Sequence, residues 1–159
     1  MMHNVCYISL IRRKSDYCWF SPPNLNILAL ARKLVAGLTG AAICHSFATA
    51  LSPADIDQSG FDPGETPAFG VFARDSLCAM ASYQIWEPRI AHITVATHPK
   101  FRCQGYGRKA VSALAEHAFA RKLILQYRAL ATNENSLKLG DSLGFDHYCS
   151  TIYARLQPS

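Results

Sequence analysis

The stretch THPKFRCQGYGRKAVSALAEHAFA, from Thr97 to Ala120, carries the strongest structural signal in the chain. Its first half places two glycines and three cations within RCQGYGRK, residues 102–109. In its second half, apolar side chains recur three or four positions apart and form one helical face: Val111, Leu114, Ala115, Ala118 and Phe119. We therefore expect a glycine-rich loop that leads directly into an amphipathic helix.

The start of such a helix is suited to binding an anion. Its first backbone N–H groups have no partner within the helix, and the helix dipole places about half a positive charge there. Gly105 and Gly107 leave room for close approach, while Arg102, Arg108 and Lys109 add positive charge. The pattern predicts a phosphate-binding loop, although a plain tight turn with exposed cations would use the same residues.

Two common nucleotide-binding motifs do not account for this loop. The GxxxxGK[ST] pattern is absent. In a GxGxxG reading Ala110 could replace the third glycine, but the following segment LILQYRALATN, residues 123–133, lacks the acidic residue that would bind a ribose.

The second half of the chain has a regular order of predicted elements. Strands are expected at 68–74, 77–86, 90–97, 123–131 and 148–156, and helices after Gly105 and over 133–143. The first two strands should form a hairpin that turns at Asp75-Ser76, and Gly144 should end the second helix. The order β-β-β-α-β-α-β predicts an α/β or α+β fold with a mixed sheet.

The first half of the chain is harder to interpret. VCYISLI, residues 5–11, could be a short strand, and residues 26–34 fit a strand or a helix. Residues 39–51 predict a helix, and residues 52–67 a loop with room for one helical turn. Ser21-Pro22-Pro23-Asn24 marks a break.

Composition narrows the class of protein. The 159 residues suit one domain, and the net charge of +5 favours anionic ligands. The six cysteines have no metal-ligand spacing, so we expect reduced thiols, no metal site and a cytoplasmic location. No apolar run is long enough for a membrane helix, and the first residues do not resemble a signal peptide.

The motifs resemble those of the GNAT superfamily, the acyl-CoA-dependent N-acetyltransferases. RCQGYG, residues 102–107, matches the R/Q-x-x-G-x-G/A signature, and NENSLKLGDSLGF, residues 133–145, is similar to the second motif. The likeness covers residues 68–156 strongly and 32–67 loosely. It implies a mixed, mostly antiparallel sheet with helices on both faces and a V-shaped splay between the fourth and fifth strands. We assign residues 32–159 to a single acyl-CoA N-acyltransferase domain and leave 1–31 as an N-terminal segment of unclear role.

The resemblance also implies how acetyl-CoA would be held. The backbone of Val95, Ala96 and Thr97 would pair with the pantetheine arm. The pyrophosphate would lie against the loop Arg102, Cys103, Gln104, Gly105, Tyr106, Gly107, Arg108 and Lys109. Asn133 and Ser136 would contact the reactive end, although Asn133 could equally cap the helix and Ser136 could simply begin it.

Direct transfer of an acetyl group to an amine calls for a base and an acid near the thioester. The position of the usual tyrosine acid is Gly140, and that of a common glutamate base is Arg128. Tyr148 could serve as the acid, His92 as the base, and Glu87 could relay a proton through water. Each also has a plain structural explanation: an edge tyrosine, a core histidine and a solvated charge. Cys103 is not expected to carry an acyl group.

The resemblance implies an N-acetyltransferase that acts on a primary amine of a small molecule or peptide. The alternative is a catalytically weak or inactive acyl-CoA-binding module of the same fold. A third hypothesis, transfer to charged tRNA, rests only on the net charge. We expect no membrane or nucleic-acid partner, and homodimers are common among relatives.

Overall fold

The computed structural model describes residues 3–12, 31–34, 38–62, 64 and 67–155. The strands are β1 (His3–Arg12), β2 (Ala31–Leu34), β3 (Ala68–Ala73), β4 (Ser76–Glu87), β5 (Ile90–Thr97), β6 (Ile124–Leu130) and β7 (Asp146–Arg155). The helices are α1 (Leu38–Thr49), α2 (Pro53–Ser59), α3 (Tyr106–Ala120) and α4 (Glu134–Ser142), with a 3₁₀ turn at Pro99–Phe101.

The strands form one seven-stranded sheet in the order β2-β3-β4-β5-β6-β1-β7. Every neighbouring pair is antiparallel except β5 and β6, which run parallel. The predicted class, a mixed and mostly antiparallel sheet, is confirmed.

Helices cover both faces of this sheet. On one face, here the α3 face, Val111 and Leu114 of α3 pack on Ala79 and Ala81 of β4. On the other, the α1 face, Phe47 of α1 packs in a cluster with residues of β4 and β5, among them Met80 and Ala96. Because side chains alternate along a strand, consecutive residues of β4 enter different cores. This explains why its Leu77–Tyr83 run is buried throughout.

Strands β5 and β6 separate partway along their length. They pair from Ile90 with Ile124 to Ile93 with Tyr127 and no further. Strand β5 nevertheless stays paired with β4 as far as Thr97. Among the described residues no strand pairs with this edge of β5 beyond Ile93, and we call it the open edge. The family resemblance predicted a splay between the fourth and fifth strands of the fold. These strands are β5 and β6 here, because the N-terminal strand β1 precedes them in the numbering.

Strand β1 lies between β6 and β7 and is antiparallel to both. The predicted strand over residues 5–11 is thus confirmed and is slightly longer. Leu10 in this strand is only 3% exposed, and a Cβ atom at Gly140 would collide with its Cδ1. Part of the N-terminal segment is therefore a strand of the same sheet, while the domain boundary at residue 31 stays a prediction.

Two local predictions need correction. The β3–β4 turn lies at Arg74-Asp75, one residue earlier than expected, because Ser76 already pairs with Ala73 and Arg74 takes the left-handed conformation, with φ of 53°. The segment after Ser52 forms a seven-residue helix rather than one turn, because Ser52 and Asp55 make a capping box. Residues 26–30 and the break at 21–24 lie outside the described residues.

Replacing Leu10 with alanine should lower the free energy of unfolding by about 2–5 kcal/mol, because it leaves a cavity where β1 meets α4. Ile152→Ala on β7 is the matched control, since Ile152 is 70% exposed and should cost less than about 0.5 kcal/mol. Urea unfolding of both variants measures the difference. Equal midpoints would contradict the placement of β1 in the core.

Candidate functional site

The open edge of β5 presents backbone groups to the gap. The N–H of His98 donates to the C=O of Cys78 on β4 at 2.9 Å. Because bonding alternates along an antiparallel pair, Ala96 also faces β4, and the N–H and C=O groups of Val95 and Thr97 face the gap. Of the three residues predicted to pair with a pantetheine arm, Val95 and Thr97 are therefore oriented for it, and Ala96 is not.

The N-terminus of α3 lies just beyond this edge. Its N-cap is Gly105, in the left-handed conformation with φ of 79°, and no side chain caps the helix. By contrast, Ser52 caps α2 and Asn133 caps α4. Cys103 in the same loop is also left-handed, with φ of 59°. The first backbone N–H groups of α3 are thus available to an anion.

The two glycines of the loop have different surroundings in the structure. A Cβ atom at Gly105 would meet nothing within 4 Å, so this residue provides the left-handed backbone and an open approach. A Cβ atom at Gly107 would lie 2.8 Å from Oγ1 of Thr97. Gly107 therefore also lets α3 pack closely on β5, and its role in the approach of an anion stays a prediction.

The cations of the loop also divide into two groups. Arg102 is bound by Asp55 of α2, with Nη2 2.6 Å from Oδ1, and its Nε donates to the C=O of Thr97 at 3.4 Å. Hydrogen bonds from Ser52, and secondarily Arg102, hold the pKa of Asp55 below its usual value. Arg108 is exposed in the first turn of α3, and Lys109 lies over the Tyr106 ring at 5.2 Å. Arg102 therefore ties the loop to α2, whereas Arg108 and Lys109 have no ion pair with a carboxylate among the described residues.

Asn133 and Ser136 lie on the other side of the gap, after β6. The Oδ1 atom of Asn133 accepts the N–H of Ser136 at 3.1 Å, which is the helix cap considered above. Its Nδ2 donates to Oε1 of Gln58 on α2, also at 3.1 Å. Helix α2 is thus bonded to the segment after β5 through Asp55 and to the segment after β6 through Gln58.

Two of the proposed catalytic residues lie away from the gap. Tyr148 is on the edge strand β7, three strands from β5 and thus about 14 Å away, and it is 67% exposed. Glu87 pairs with Ile90 at the opposite end of β5, about 17 Å along the strand from Val95. The structure does not bring either carboxyl or phenol group to the open edge.

His92 lies closer, at the closed end of the gap. Its side chain is on the α1 face, opposite Ile93, and its ring stacks on Trp86 at 3.8 Å. Its Nδ1 atom is buried without a hydrogen-bond partner. Burial, and secondarily the charge of Arg128, lower the pKa of His92 to about 4, while Gln126 acts in the opposite direction. The imidazole is therefore neutral at pH 7, and burial makes it a weaker base than a free histidine.

Tyr127 is a candidate that the sequence did not reveal. It is the last residue of β6 that pairs with β5, and it points to the α3 face, 5% exposed. Its hydroxyl hydrogen-bonds with the Ser136 side chain, and burial raises its pKa above 10.0 despite that bond. A Cβ atom at Gly140 would lie 3.6 Å from its ring. The Tyr127 phenol therefore borders the space next to Gly140 and stays protonated.

The described residues limit other kinds of site. Among them, no three or more His, Cys, Asp or Glu side chains are grouped as metal ligands would be. The five cysteines that the structure describes are free thiols, and Cys18 lies outside the described residues. Within the described ranges no helix is both long and apolar enough to cross a membrane.

Comparison with known proteins identifies the family. The sequence model of the acetyltransferase (GNAT) family matches residues 30–145. The chain therefore belongs to the GNAT family of acetyltransferases, whose members transfer acyl groups from acyl-CoA. No curated protein sequence matches it significantly.

Solved structures share the fold at low sequence identity. A GNAT-family protein from Novosphingobium aromaticivorans is 20% identical with a TM-score of 0.72, over 96% of this chain and 63% of that one. A ribosomal-protein-alanine N-acetyltransferase from Brucella melitensis is 20% identical with a TM-score of 0.59, over 74% and 84%. A GCN5-related N-acetyltransferase from Kribbella flavida is 17% identical with a TM-score of 0.66, over 96% and 59%. The chain thus spans less than two thirds of the first and third of these proteins.

The buried imidazole makes a prediction about stability and pH. The pKa of His92 falls from 6.5 in the unfolded chain to about 4 in the fold, so the unfolded chain binds the proton first as the pH falls. Stability is therefore lost between pH 6.5 and 4, by about 3 kcal/mol. His92→Gln should reduce the loss of unfolding free energy between pH 7 and 4 by that amount, as measured by urea unfolding. An identical pH profile in the variant would contradict the burial of His92.

Proposed function

We propose that the protein binds acetyl-CoA in the gap between β5 and β6 and transfers its acetyl group directly to a primary amine. The observation that carries this proposal is the continuity of two backbone surfaces, an open strand edge and a helix start without a side-chain cap. The open edge of β5 at Val95 and Thr97 leads, through one short loop, to the uncapped N-terminus of α3.

These two surfaces match the two parts of the ligand. The pantetheine arm contains amide groups, which the C=O of Val95 and the N–H of Thr97 would bind as a neighbouring strand does. The pyrophosphate is an anion, which the N–H groups of residues 104–108 would bind with help from Arg108 and Lys109. Acetyl-CoA supplies the thioester whose acetyl group is transferred.

Proton transfer can be divided between the two faces of the sheet. His92, neutral and on the α1 face, accepts a proton from the attacking amine. The Val95 N–H stabilises the negative charge that develops on the thioester oxygen. Tyr127, on the α3 face at the next residue pair along β5 and β6, donates a proton to the departing thiolate. Attack and departure from opposite faces keep the two titrating groups separate.

The alternative is a module that binds acyl-CoA without efficient catalysis. This alternative is favoured because Gly140 stands where many GNAT proteins have a tyrosine acid, and Arg128 where a common glutamate base would be. Release of CoA in the presence of amines separates the two: an enzyme releases CoA, whereas a module binds acetyl-CoA and does not turn over. We place either function in the cytoplasm, in keeping with the free thiols.

Acetyl-CoA at 100 times its dissociation constant should stabilise the protein by about 2.7 kcal/mol, because it binds only the folded chain. Gly105→Ala should weaken this stabilisation, since alanine is strained at a φ of 79° and its Cβ enters the approach to the loop. Gly144→Ala is the matched control, because Gly144 also has a positive φ, 70°, but lies after α4. Thermal unfolding with and without acetyl-CoA measures both.

Absence of stabilisation in the wild-type protein would contradict the binding proposal. Equal loss of stabilisation in both glycine variants would show that backbone strain, rather than the loop, controls binding.

Tyr127→Phe should lower kcat by about 10²- to 10⁴-fold, because the thiolate loses its proton donor. The dissociation constant of acetyl-CoA should stay unchanged. Tyr83→Phe is the matched control: Tyr83 is another buried tyrosine on the α3 face, but its hydroxyl bonds His117 at 3.3 Å instead. Thiol release and calorimetric titration give the two constants. An equal fall of kcat in both variants would exclude a catalytic role for Tyr127.

A further inference from the structure

The end of helix α2 lies against β5 on the α1 face. A Cβ atom at Gly60, the C-cap of α2, would lie 3.5 Å from Cγ2 of Thr94. Phe61, the next residue, packs in the same cluster as Phe47 of α1. Thr94 directly follows Ile93, where the pairing of β5 with β6 ends. The helix therefore meets β5 just beyond the point at which the two strands separate.

One ion pair joins α2 to the segment after β5. The two carboxylate oxygens of Asp55 have separate partners: Oδ2 accepts the N–H and the hydroxyl of Ser52 at 3.0 and 2.7 Å, and Oδ1 pairs with Nη2 of Arg102 at 2.6 Å. The Nε of Arg102 donates to the C=O of Thr97, the last residue of β5, at 3.4 Å. Because the capping box orients the Asp55 carboxylate, the ion pair ties the end of β5 to a fixed point of the helix.

A hydrogen bond joins α2 to the segment after β6. Gln58, one helical turn after Asp55 and on the same side of the helix, accepts Nδ2 of Asn133 at 3.1 Å through its Oε1. The Oδ1 atom of Asn133 accepts the N–H of Ser136, also at 3.1 Å. Both ends of the Asn133 amide are therefore bonded within the protein, one to α2 and one to α4.

These bonds engage two residues that the family resemblance assigns to acetyl-CoA. Arg102 is expected against the pyrophosphate and Asn133 against the reactive end, yet each is bonded to the same short helix. Helix α2 thus joins the two sides of the gap through contacts within the protein alone. Holding two sides of a site in the geometry of the complex raises affinity, because their ordering is no longer a cost of binding.

We propose that Asp55 and Gln58 are positioning residues, which make α2 a bridge that holds β5 and β6 at the separation the pantetheine arm of CoA occupies. Arg102 and Asn133 then contribute to cofactor binding through α2 rather than by direct contact. This rests on the proposed function only in taking CoA as the ligand of the gap. The bridge itself can be measured in the free protein.

Gln58→Leu removes the acceptor for Asn133 at similar size, whereas Gln58→Glu keeps an acceptor oxygen. Calorimetric titration with CoA should show binding weakened about threefold to tenfold in Gln58→Leu, the range expected for one lost hydrogen bond. Gln58→Glu should bind as the wild-type protein does in about 0.3 M salt, which screens the added charge. Asp57→Asn is the matched control, because Asp57 is exposed on the same helix and bonds to neither side of the gap within the described residues.

A double-mutant cycle separates action through the bridge from direct contact by Arg102. If Arg102 acts through α2, Arg102→Gln should weaken CoA binding less in the Gln58→Leu background than in the wild-type protein. Independent effects would instead multiply, because the two residues are not bonded to each other. Arg108→Gln, in the first turn of α3, should weaken binding equally in both backgrounds.

Amide NMR of the free protein tests the bridge without a ligand. Gln58→Leu should broaden the signals of Val95 and Thr97, because the two sides of the gap then move relative to each other, and Gln58→Glu should not. Unchanged signals in Gln58→Leu, equal weakening by leucine and glutamate, or multiplicative losses with Arg102→Gln would overturn the bridge.

The two proposals can fail separately. If the signals broaden in Gln58→Leu but the wild-type protein does not bind CoA, the bridge stands and the binding proposal fails. If CoA binds the wild-type protein and Gln58→Leu equally well, the binding proposal stands and the bridge has no positioning role.

Discussion

The separation of β5 from β6 after Ile93 and Tyr127 is the constraint on which the rest of the site depends. Pairing on one side only leaves the N–H and C=O groups of Val95 and Thr97 facing a gap. Val95 and Thr97 are half-buried, and the C=O of Thr97 accepts from Arg102, so the remaining groups of this edge can pair with a ligand or with water. The strand then leads into a helix whose N-terminus also lacks a cap. The site thus combines an open strand edge with a helix start that has no side-chain cap.

The elements around the gap hold its two sides apart. Helix α2 is bonded to the segment after β5 through Arg102 and to the segment after β6 through Asn133. On the opposite face, the tight contact of Gly107 with Thr97 sets how closely α3 packs on β5. Strand β1 supports the outer side of β6, and its Leu10 fills the space beside Gly140. The absence of a side chain at position 140 is therefore a consequence of packing, with Tyr127 beside the same space.

Local patterns predicted much of this architecture. The glycine-rich loop, the apolar face of α3 and the β-branched run of β5 depend on residues close together in sequence. Long-range pairing was beyond such patterns: nothing in VCYISLI shows that it lies between β6 and β7. Tyr127 was missed for the same reason, since a tyrosine within an apolar strand looks like core until the register shows that it ends the pairing with β5. The different roles of Gly105 and Gly107 likewise needed coordinates, because only the packing of α3 on β5 separates them.

Amide NMR of the uniformly ¹⁵N-labelled protein, titrated with acetyl-CoA, tests the central claim most directly. If the gap binds the cofactor as a missing strand, the amides of Val95, Thr97 and residues 104–108 shift together and become protected from hydrogen exchange. Ala96, whose N–H already faces β4, changes less in its exchange. Shifts confined to other surfaces, or protection of the loop without Val95 and Thr97, would contradict the claim that the open edge of β5 is the binding site.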